Sequence, residues 1–456
     1  MRQFPRDFVW GVATSSYQIE GATDVDGRGE SIWDRFSATP GKIQDGTNGS
    51  VACDHYHRWR EDVELMRWMG LKSYRFSIAW PRILPAGRGK VSQAGLDFYS
   101  RLVDGLLEAG IEPCVTLYHW DLPQALQDQG GWAARDTVSA FVEYADVVSQ
   151  KLGDRAKRWI THNEPWCISV LGYANGEHAP GIKDWGQALA TAHHVLLSHG
   201  QAVPVLRSNV SQADVGITLN LVPAEPASPS AEDQEACRSF DGGFNRWYLD
   251  PLYGRGYPRD VIQDHVAAGH LKSDTLPFLR AGDLEDIATP IDFLGVNYYN
   301  RAVLRSDRIP ESQNAPRAVH VSSEQTEMGW EVSPHGLTQL LVRLHQDYNP
   351  GRLYVTENGA AYGTGPDADG RVRDTKRVQY LRLHLEASLE AIRQGVPLHG
   401  YFAWSLLDNF EWAYGYQKRF GMVYVDYATQ KRIPKDSAHL YRAVVAQNGL
   451  DVELAA

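Results

Sequence analysis

The sequence predicts an α/β fold, a single (β/α)8 TIM barrel with long βα-loop insertions that spans residues 1–456. Short apolar runs alternate with long amphipathic stretches along the whole chain, which favours parallel strands joined by helical crossovers. Eight such runs fit a closed barrel better than an open sheet. No linker, internal repeat or low-complexity tract divides the chain, so we expect one domain.

The predicted strands are short segments rich in β-branched and aromatic residues. They are residues 8–12, 73–78, 113–118, 158–163, 215–220, 293–297, 353–357 and 398–404. Amphipathic segments between them predict helices, and several of these end next to a glycine. The clearest helices are residues 55–69, 93–108, 135–151, 185–207, 334–348 and 374–393.

Extra length follows several of the strands, in segments rich in Gly, Pro, Asp and aromatic residues. These segments are residues 15–54, 163–184, 222–284 and 297–331. Loops of this length in a compact domain are usually functional. In a β/α barrel the carboxyl ends of all strands open on one face, so side chains that are remote in sequence can meet there.

Charge and composition exclude several classes of protein. The net charge of -11 argues against a nucleic-acid partner, and it offers nothing to an anionic membrane. No signal peptide and no run of about 18 apolar residues is present, so we expect a cytoplasmic protein. A homo-oligomer is compatible with the sequence. The 14 Trp and 22 Tyr, against 13 Phe, suit binding to the apolar faces and hydroxyl rims of sugars.

We expect neither a metal nor another cofactor. Four scattered cysteines show no CxxC pair and no Cys/His ligand spacing, which excludes a typical zinc site or disulfide framework. They are Cys53, Cys114, Cys167 and Cys237. The histidines in two predicted helices are expected to lack carboxylate partners. They are His55, His57, His193 and His194.

Two glutamates stand where a strand-like run ends abruptly. Glu164 is followed by Pro165, and Glu357 is followed two positions later by Gly359, so the backbone leaves the strand at both places. Two carboxyl groups on one rim suggest the acid/base and nucleophile pair of glycoside cleavage. For a single glutamate the commoner alternative is a solvated or ion-paired side chain at a strand end. The surrounding motifs favour the catalytic interpretation.

Ordered motifs extend this pattern over roughly residues 4–445. They are residues 8–21, residues 161–165 (Thr-His-Asn-Glu-Pro), residues 354–359 (Tyr-Val-Thr-Glu-Asn-Gly), residues 408–412 (Asp-Asn-Phe-Glu-Trp) and residues 419–421 (Arg-Phe-Gly). As an ordered set they resemble glycoside hydrolase family 1, the β-glucosidase family. One departure is His162, where the family often has Phe.

The resemblance implies a retaining, two-step mechanism. Glu164 would be the general acid/base and Glu357 the nucleophile, with Arg75, Asn297 and Tyr299 beside them. Retaining enzymes hold the two carboxyl groups about 5–5.5 Å apart, so one of them must stay protonated near neutral pH. We expect the raised pKa at Glu164, because an apolar site and the charge of Glu357 both oppose its ionisation.

The resemblance also implies a set of sugar contacts. Gln18 and Glu411 would hold glycone hydroxyls, Trp404 would form the stacking floor, and Trp330 would lie on the aglycone side. The full substrate-binding set is Gln18, His119, Trp120, Asn163, Trp330, Trp404, Glu411 and Trp412. The family further implies a cis peptide bond after Trp404. A carboxylate at Glu411 would repel a 6-phosphate, which favours a sugar with a free 6-hydroxyl.

The expected activity is hydrolysis of terminal β-D-glucosyl residues from short β-glucosides such as cellobiose and aryl glucosides, with transglycosylation at high substrate. The expected partner is therefore a small carbohydrate. A β-galactosidase or β-fucosidase preference stays open, because Gln18, His119 and Glu411 can also serve the galacto epimer. A non-catalytic sugar-binding relative is the other alternative, although such proteins lose one or both glutamates.

Overall fold

The structure is a computed structural model that describes residues 2–308 and 324–452. Its strands within these ranges are β1 (Val9–Ala13), β2 (Ser73–Ser77), β3 (Glu112–Tyr118), β4 (Arg158–Asn163), β5 (Asp214–Asn220), β6 (Ala224–Pro226), β7 (Phe293–Asn297), β8 (Ala302–Leu304), β9 (Leu353–Asn358), β10 (Leu398–Trp404), β11 (Val423–Asp426) and β12 (Lys431–Pro434).

The α-helices surround these strands. They are α1 (Ser16–Ile19), α2 (Ile32–Ala38), α3 (His55–Met69), α4 (Trp80–Ile83), α5 (Gln93–Glu108), α6 (Gln124–Gln127), α7 (Asp136–Leu152), α8 (Trp185–Asn209), α9 (Ala231–Asp241), α10 (Trp247–Leu252), α11 (Arg259–Ala267), α12 (Asp283–Ile287), α13 (Pro334–Tyr348), α14 (Thr375–Arg393) and α15 (Asp436–Gln447). In the described part of the chain no helix is long and apolar enough to cross a membrane.

Eight parallel strands close into a barrel in the order β1, β2, β3, β4, β5, β7, β9, β10, and β10 pairs again with β1. The TIM-barrel prediction is therefore confirmed. Each predicted strand agrees with a barrel strand to within one residue at either end. The strands were predictable because helices cover the outside and side chains fill the inside, so whole segments such as β9 are buried.

The predicted helices are also present, with ends that differ by at most two residues. Helix α15, the antiparallel strands β11 and β12, and the short strands β6 and β8 that pair with each other were not predicted, and neither were the helices within the loops. The strands are only three or four residues long, which leaves too little sequence for a hydrophobic period to show.

The long segments predicted after the strands lie at the carboxyl end of the barrel. Residues 15–54 contain α1 and α2, and Ser31 and Asp34 form a reciprocal capping box at the start of α2. Residues 222–284 contain α9 to α11 instead of one long barrel helix. The segment 297–331 is described only at its two ends, since residues 309–323 lie outside the described ranges.

The histidine prediction was wrong for three of the four helix residues, because each of the three has a carboxylate partner. The pairs are His55 with Asp62 at 2.7 Å, His57 with Asp54 at 2.6 Å and His193 with Asp283 at 2.8 Å. Only the fold brings Asp283, on α12, against α8. Among the described residues no three His, Cys, Asp or Glu side chains are grouped as a metal ion would require.

The loop after β10 is fixed by one buried carboxylate. Asp408 has no exposed side-chain surface and accepts hydrogen bonds from Lys435 Nζ at 2.7 Å and Arg419 Nη1 at 2.8 Å. The backbone N–H of Gly421 donates to the same carboxylate at 3.0 Å. Because Glu411 lies three positions beyond Asp408, this ion cluster sets the course of the loop that carries it.

Replacement of Asp408 should therefore destabilise the protein strongly. In Asp408→Ala the buried ammonium of Lys435 loses its carboxylate partner, and loss of one member of a buried ion pair costs about 3–5 kcal/mol. Urea denaturation should show this as a lower free energy of unfolding. Asp367→Ala is the matched control, because it removes an exposed partner of Arg373 and should change little. Equal effects in the two variants would contradict the anchoring role.

Candidate active site

The carboxyl ends of the barrel strands open into a cavity of about 730 Å³. Ten of the thirteen residues predicted for the site line this cavity. They are His119, Trp120, Glu164, Asn297, Tyr299, Trp330, Glu357, Trp404, Glu411 and Trp412. The other three, Gln18, Arg75 and Asn163, are buried beside it and form hydrogen bonds with lining groups. The fold thus brings the whole predicted set together.

Strand order explains how the two glutamates meet. Glu164 directly follows β4, and Glu357 is the fifth residue of β9; β5 and β7 lie between these strands in the barrel. Asn220 ends β5 and Asn297 ends β7, and the two are register partners, as are Asn297 and Glu357. Polar side chains from four adjacent strand ends are therefore held at one level by backbone pairing.

Glu357 has donors on both carboxyl oxygens. Arg75 Nη1 donates to Oε1 at 2.6 Å, and the hydroxyl of Tyr299 donates to Oε2 at 2.7 Å. Only 3% of Glu357 is exposed. Burial raises its pKa above the usual value, while the Arg75 charge and the two hydrogen bonds oppose that rise. The guanidinium gives Glu357 the cationic partner that a buried carboxylate needs.

Glu164 has a different set of neighbours. Asn297 Nδ2 donates to Oε1 at 2.7 Å, and the thiol of Cys167 donates to Oε2 at 3.2 Å. Burial, followed by repulsion from the charge of Glu357, raises the pKa of Glu164 to about 8. At neutral pH Glu164 is therefore protonated beside a carboxylate that is paired with arginine. The asymmetry between the two carboxyl groups matches the expectation from the sequence.

A polar network connects the two carboxyl groups to the rest of the site. Asn163 Oδ1 accepts from Arg75 Nη2 at 2.6 Å and from Asn297 Nδ2 at 3.0 Å. Asn163 Nδ2 donates to His119 Nε2 at 3.1 Å. Burial and the nearby Arg75 charge lower the pKa of His119 far below its usual value, so the imidazole is neutral. With Nε2 accepting, the proton of this ring is on Nδ1.

Gln18 and Glu411 lie together at another side of the cavity. Gln18 Nε2 donates to Glu411 Oε2 at 3.3 Å, and Gln18 Oε1 accepts from the hydroxyl of Ser15 at 2.6 Å. Burial, and then the charges of Glu357 and Glu164, raise the pKa of Glu411 to about 8. Glu411 is therefore largely protonated at neutral pH.

Aromatic rings form the walls of the cavity. The rings of Trp120 and Trp412 are 4.6 Å apart, those of Trp330 and Tyr299 are 5.2 Å apart, and Trp404 is only 4% exposed. The Trp404–Ser405 peptide bond is cis, as the resemblance implied. Flat apolar faces with N–H groups at their edges suit a sugar ring, which has apolar faces and a polar rim.

Three residues of the site have left-handed backbone conformations, which residues other than glycine rarely adopt. The φ angles are 78° at Trp120, 52° at Glu164 and 49° at Trp412. Such strained positions cluster at functional sites, where the surrounding packing holds them. Packing also restricts Gly359, two positions after Glu357. A Cβ atom there would lie 1.7 Å from the carbonyl oxygen of Trp404, so only glycine fits.

Cys167, His178 and Asn220 are among the lining residues that sequence reasoning did not assign to the site. Asn220 ends β5, so a search for polar residues at every strand end would have found it. Cys167 begins a π-helix (Cys167–Asn175) whose geometry has no clear sequence signal. His178 comes from the following loop, and its ring lies 5.4 Å from that of Trp120. Only the tertiary fold places it there.

Similarity to known proteins extends over nearly the whole chain. Residues 1–450 match the model of glycosyl hydrolase family 1. Beta-glucosidase A of Thermotoga maritima is 49% identical over 99% of this chain and 99% of that relative. A bifunctional beta-D-glucosidase/beta-D-fucosidase of Bifidobacterium breve is 44% identical over 98% of each chain.

The solved structures agree with the sequence comparison. The structure of a beta-glucosidase from Thermotoga maritima in complex with glucoimidazole matches with a TM-score of 0.93 and 48% identity, over 99% of this chain and 100% of that chain. The matches extend over nearly the full length of both proteins and include the strand ends that line the cavity. This chain therefore belongs to glycosyl hydrolase family 1.

Proposed function

We propose that this chain is a retaining β-glucosidase that releases terminal non-reducing β-D-glucosyl residues from short β-glucosides such as cellobiose and aryl glucosides. The observation that carries the proposal is the pair of buried glutamates in unlike surroundings. Glu357 contacts a guanidinium and a phenol, whereas Glu164 contacts an amide and a thiol. The relatives named as beta-glucosidases support the choice of glucose.

In the first step Glu357 attacks the anomeric carbon of the glucosyl unit. The bond between that carbon and the glycosidic oxygen breaks, and the proton of Glu164 goes to this oxygen, so the aglycone leaves as an alcohol. A glucosyl ester of Glu357 remains. Arg75 and Tyr299 orient the carboxylate before attack, since their donors occupy both of its oxygens.

In the second step the roles of the groups reverse. The ester carries no charge, so it no longer repels a negative charge on Glu164. The pKa of Glu164 therefore falls, and its carboxyl group ionises more readily. Glu164 takes a proton from a water molecule, which attacks the anomeric carbon and releases Glu357. If a second sugar hydroxyl replaces water, the same chemistry gives transglycosylation.

The remaining residues of the site would hold the sugar. Gln18, His119, Asn163 and Glu411 are suited to hydrogen bonds with the glycone, because the first three are buried polar side chains in or beside the cavity and Glu411, which is half-buried, lines it. Trp404 would lie under the ring, with Trp120 and Trp412 as a wall and Trp330 towards the aglycone. Asn297 would orient Glu164 through the hydrogen bond between them.

We also propose that residues 1–456 form one catalytic domain. A single contiguous hydrophobic cluster contains Phe4 near one end of the chain and Leu450 near the other, together with residues from the helices around the barrel. One shared core is what a single domain requires. The cytoplasmic location and the homo-oligomer stay predictions from the sequence.

Azide should distinguish the two glutamates. Glu357→Ala removes the nucleophile, and turnover of an activated aryl β-glucoside should fall by about 10⁴-fold or more. Added azide should restore release of the aglycone and give the α-glucosyl azide, because the small anion attacks from the vacated side. Glu164→Ala is the matched control, and its azide product should be the β-anomer. The same anomer from both variants, or no rescue in folded protein, would refute the assignment.

The pH profile should report the raised pKa of Glu164. Because the acid form of this group is needed, kcat/KM should stay high through neutral pH and fall as pH rises through about 8. The measurement is kcat/KM for an alkyl or unactivated aryl β-glucoside between pH 5 and about 10. In Glu164→Gln, assayed on an activated substrate, the alkaline fall should vanish. If it persists there, another group such as Glu411 carries it.

The preference for the glycone remains the main alternative, and the relative named for both glucosidase and fucosidase activity favours testing it. We expect a higher kcat/KM for the 4-nitrophenyl β-glucoside than for the β-fucoside or the β-galactoside, because only the glucoside has an equatorial 4-hydroxyl. The β-fucoside is a 6-deoxygalactoside, so it shares the axial 4-hydroxyl of the galactoside and also lacks the 6-hydroxyl. A galactoside that exceeds the glucoside would overturn the glucose assignment, and binding without aglycone release would favour a non-catalytic relative.

A further inference from the structure

Cys167 lies against the candidate acid/base, three positions after it in the chain. Its sulfur is 3.2 Å from Glu164 Oε2, and Asn220 Nδ2 donates to the same sulfur at 3.5 Å. The other oxygen of Glu164 is held by Asn297. All of these residues line the catalytic cavity, and only 8% of Cys167 is exposed. The mechanism described above gives the thiol no role.

We infer that Cys167 is a positioning residue whose thiol holds the carboxyl group of Glu164 in both of its protonation states. The inference rests on the proposed retaining function, in which Glu164 acts first as an acid and then as a base. Cys167 does not contact the reacting bond and keeps its own proton throughout. Its role is to hold Oε2 in place while Asn297 holds Oε1.

The chemistry of the thiol suits this task better than that of an amide. An S–H group is a weak donor and its sulfur is a weak acceptor, so rotation about the Cβ–S bond lets it serve either form of a carboxyl group. When Glu164 is ionised the thiol donates to Oε2; when Oε2 carries the proton and no substrate is bound, the sulfur accepts, and the glycosidic oxygen replaces it as acceptor in the first step. Asn297 Nδ2 can only donate, which favours the proton on Oε2. Burial and the nearby Glu164 keep the pKa of Cys167 well above its usual value, so the thiol stays protonated.

The surroundings of Glu164 make such a neutral partner useful. The charged or titratable groups that act on it are Glu357 on β9, Arg75 on β2, Glu411 in the loop after β10, Tyr299 after β7 and Cys167 itself. A cationic partner would make Glu164 a permanent anion, and no partner would leave Oε2 free to turn. A thiol orients the carboxyl group without adding charge.

Leaving-group dependence tests the inference. We would compare wild type, Cys167→Val, which fills a similar volume without hydrogen bonding, and Cys167→Ser, which keeps a donor and acceptor. In Cys167→Val, kcat/KM for a poor leaving group such as an alkyl alcohol should fall about 3- to 10-fold, the range expected for loss of one hydrogen bond. With 2,4-dinitrophenol, which needs no proton, kcat/KM should be unchanged. Cys167→Ser should restore most of the loss.

The pH profile gives a second readout. The thiol donates to the ionised form of Glu164 and lowers its pKa, so its removal should move the alkaline limb of kcat/KM to higher pH. In Cys167→Ser the alkaline limb of kcat/KM should return towards the pH at which it lies in the wild-type enzyme. Cys237→Ala is the control, because this half-buried cysteine on α9 lies outside the cavity and its loss should alter neither readout.

Two results would overturn the inference. One is an equal loss for both leaving groups in Cys167→Val, which indicates a general packing defect. The other is that Cys167→Val has the same alkaline limb of kcat/KM and the same leaving-group dependence as the wild-type enzyme. Glu164→Gln on the same substrates separates this failure from failure of the proposed function. If Glu164→Gln itself shows no leaving-group dependence, the acid/base assignment is wrong; if it does, only the role of Cys167 is lost.

Discussion

A buried ion pair, Arg75 with Glu357, is the interaction on which the rest of the site depends. Placing a carboxylate inside a protein is costly unless a cation and hydrogen bonds compensate for the lost water. Arg75 provides that compensation, and its second nitrogen holds Asn163, the neighbour of Glu164 in sequence. The charge kept on Glu357 is in turn one cause of the raised pKa of Glu164. One guanidinium therefore sets both the geometry and the protonation pattern of the pair.

The barrel makes this arrangement rigid. Arg75, Asn297 and Glu357 stand on strands whose backbones are hydrogen-bonded to their neighbours, so small relative movements of their side chains are resisted by the sheet. The parts of the site that come from loops need other supports. Glu411 depends on the Asp408 ion cluster, and Cys167 depends on a π-helix. Strands thus hold the proposed nucleophile and its partners, while loops hold groups around them.

The protonation states of the three glutamates in this cavity depend on one another. Glu164, Glu357 and Glu411 line one cavity in which Arg75 pairs with Glu357, and each carboxylate charge raises the cost of ionising the next carboxyl group. That is why Glu411, which the sequence suggested as a simple carboxylate, has a raised pKa and is largely protonated at neutral pH. A bound sugar with its hydroxyl groups, or an ester at Glu357, would change this balance. Binding and catalysis are therefore coupled through charge.

The sequence by itself determined the barrel, since alternating apolar strands and amphipathic helices leave few other folds, and it determined the glutamate pair, since Pro165 and Gly359 mark where the strands end. Its motifs also named thirteen residues that the fold gathers around one cavity. Tertiary structure alone decided the partners of those residues. It placed Asn220 against Cys167 and Cys167 against Glu164, and it set how the three carboxyl groups affect one another's pKa. Most such contacts join segments far apart in the chain, and the one between Cys167 and Glu164 depends on a π-helix, so hydrophobic periodicity carries no information about them.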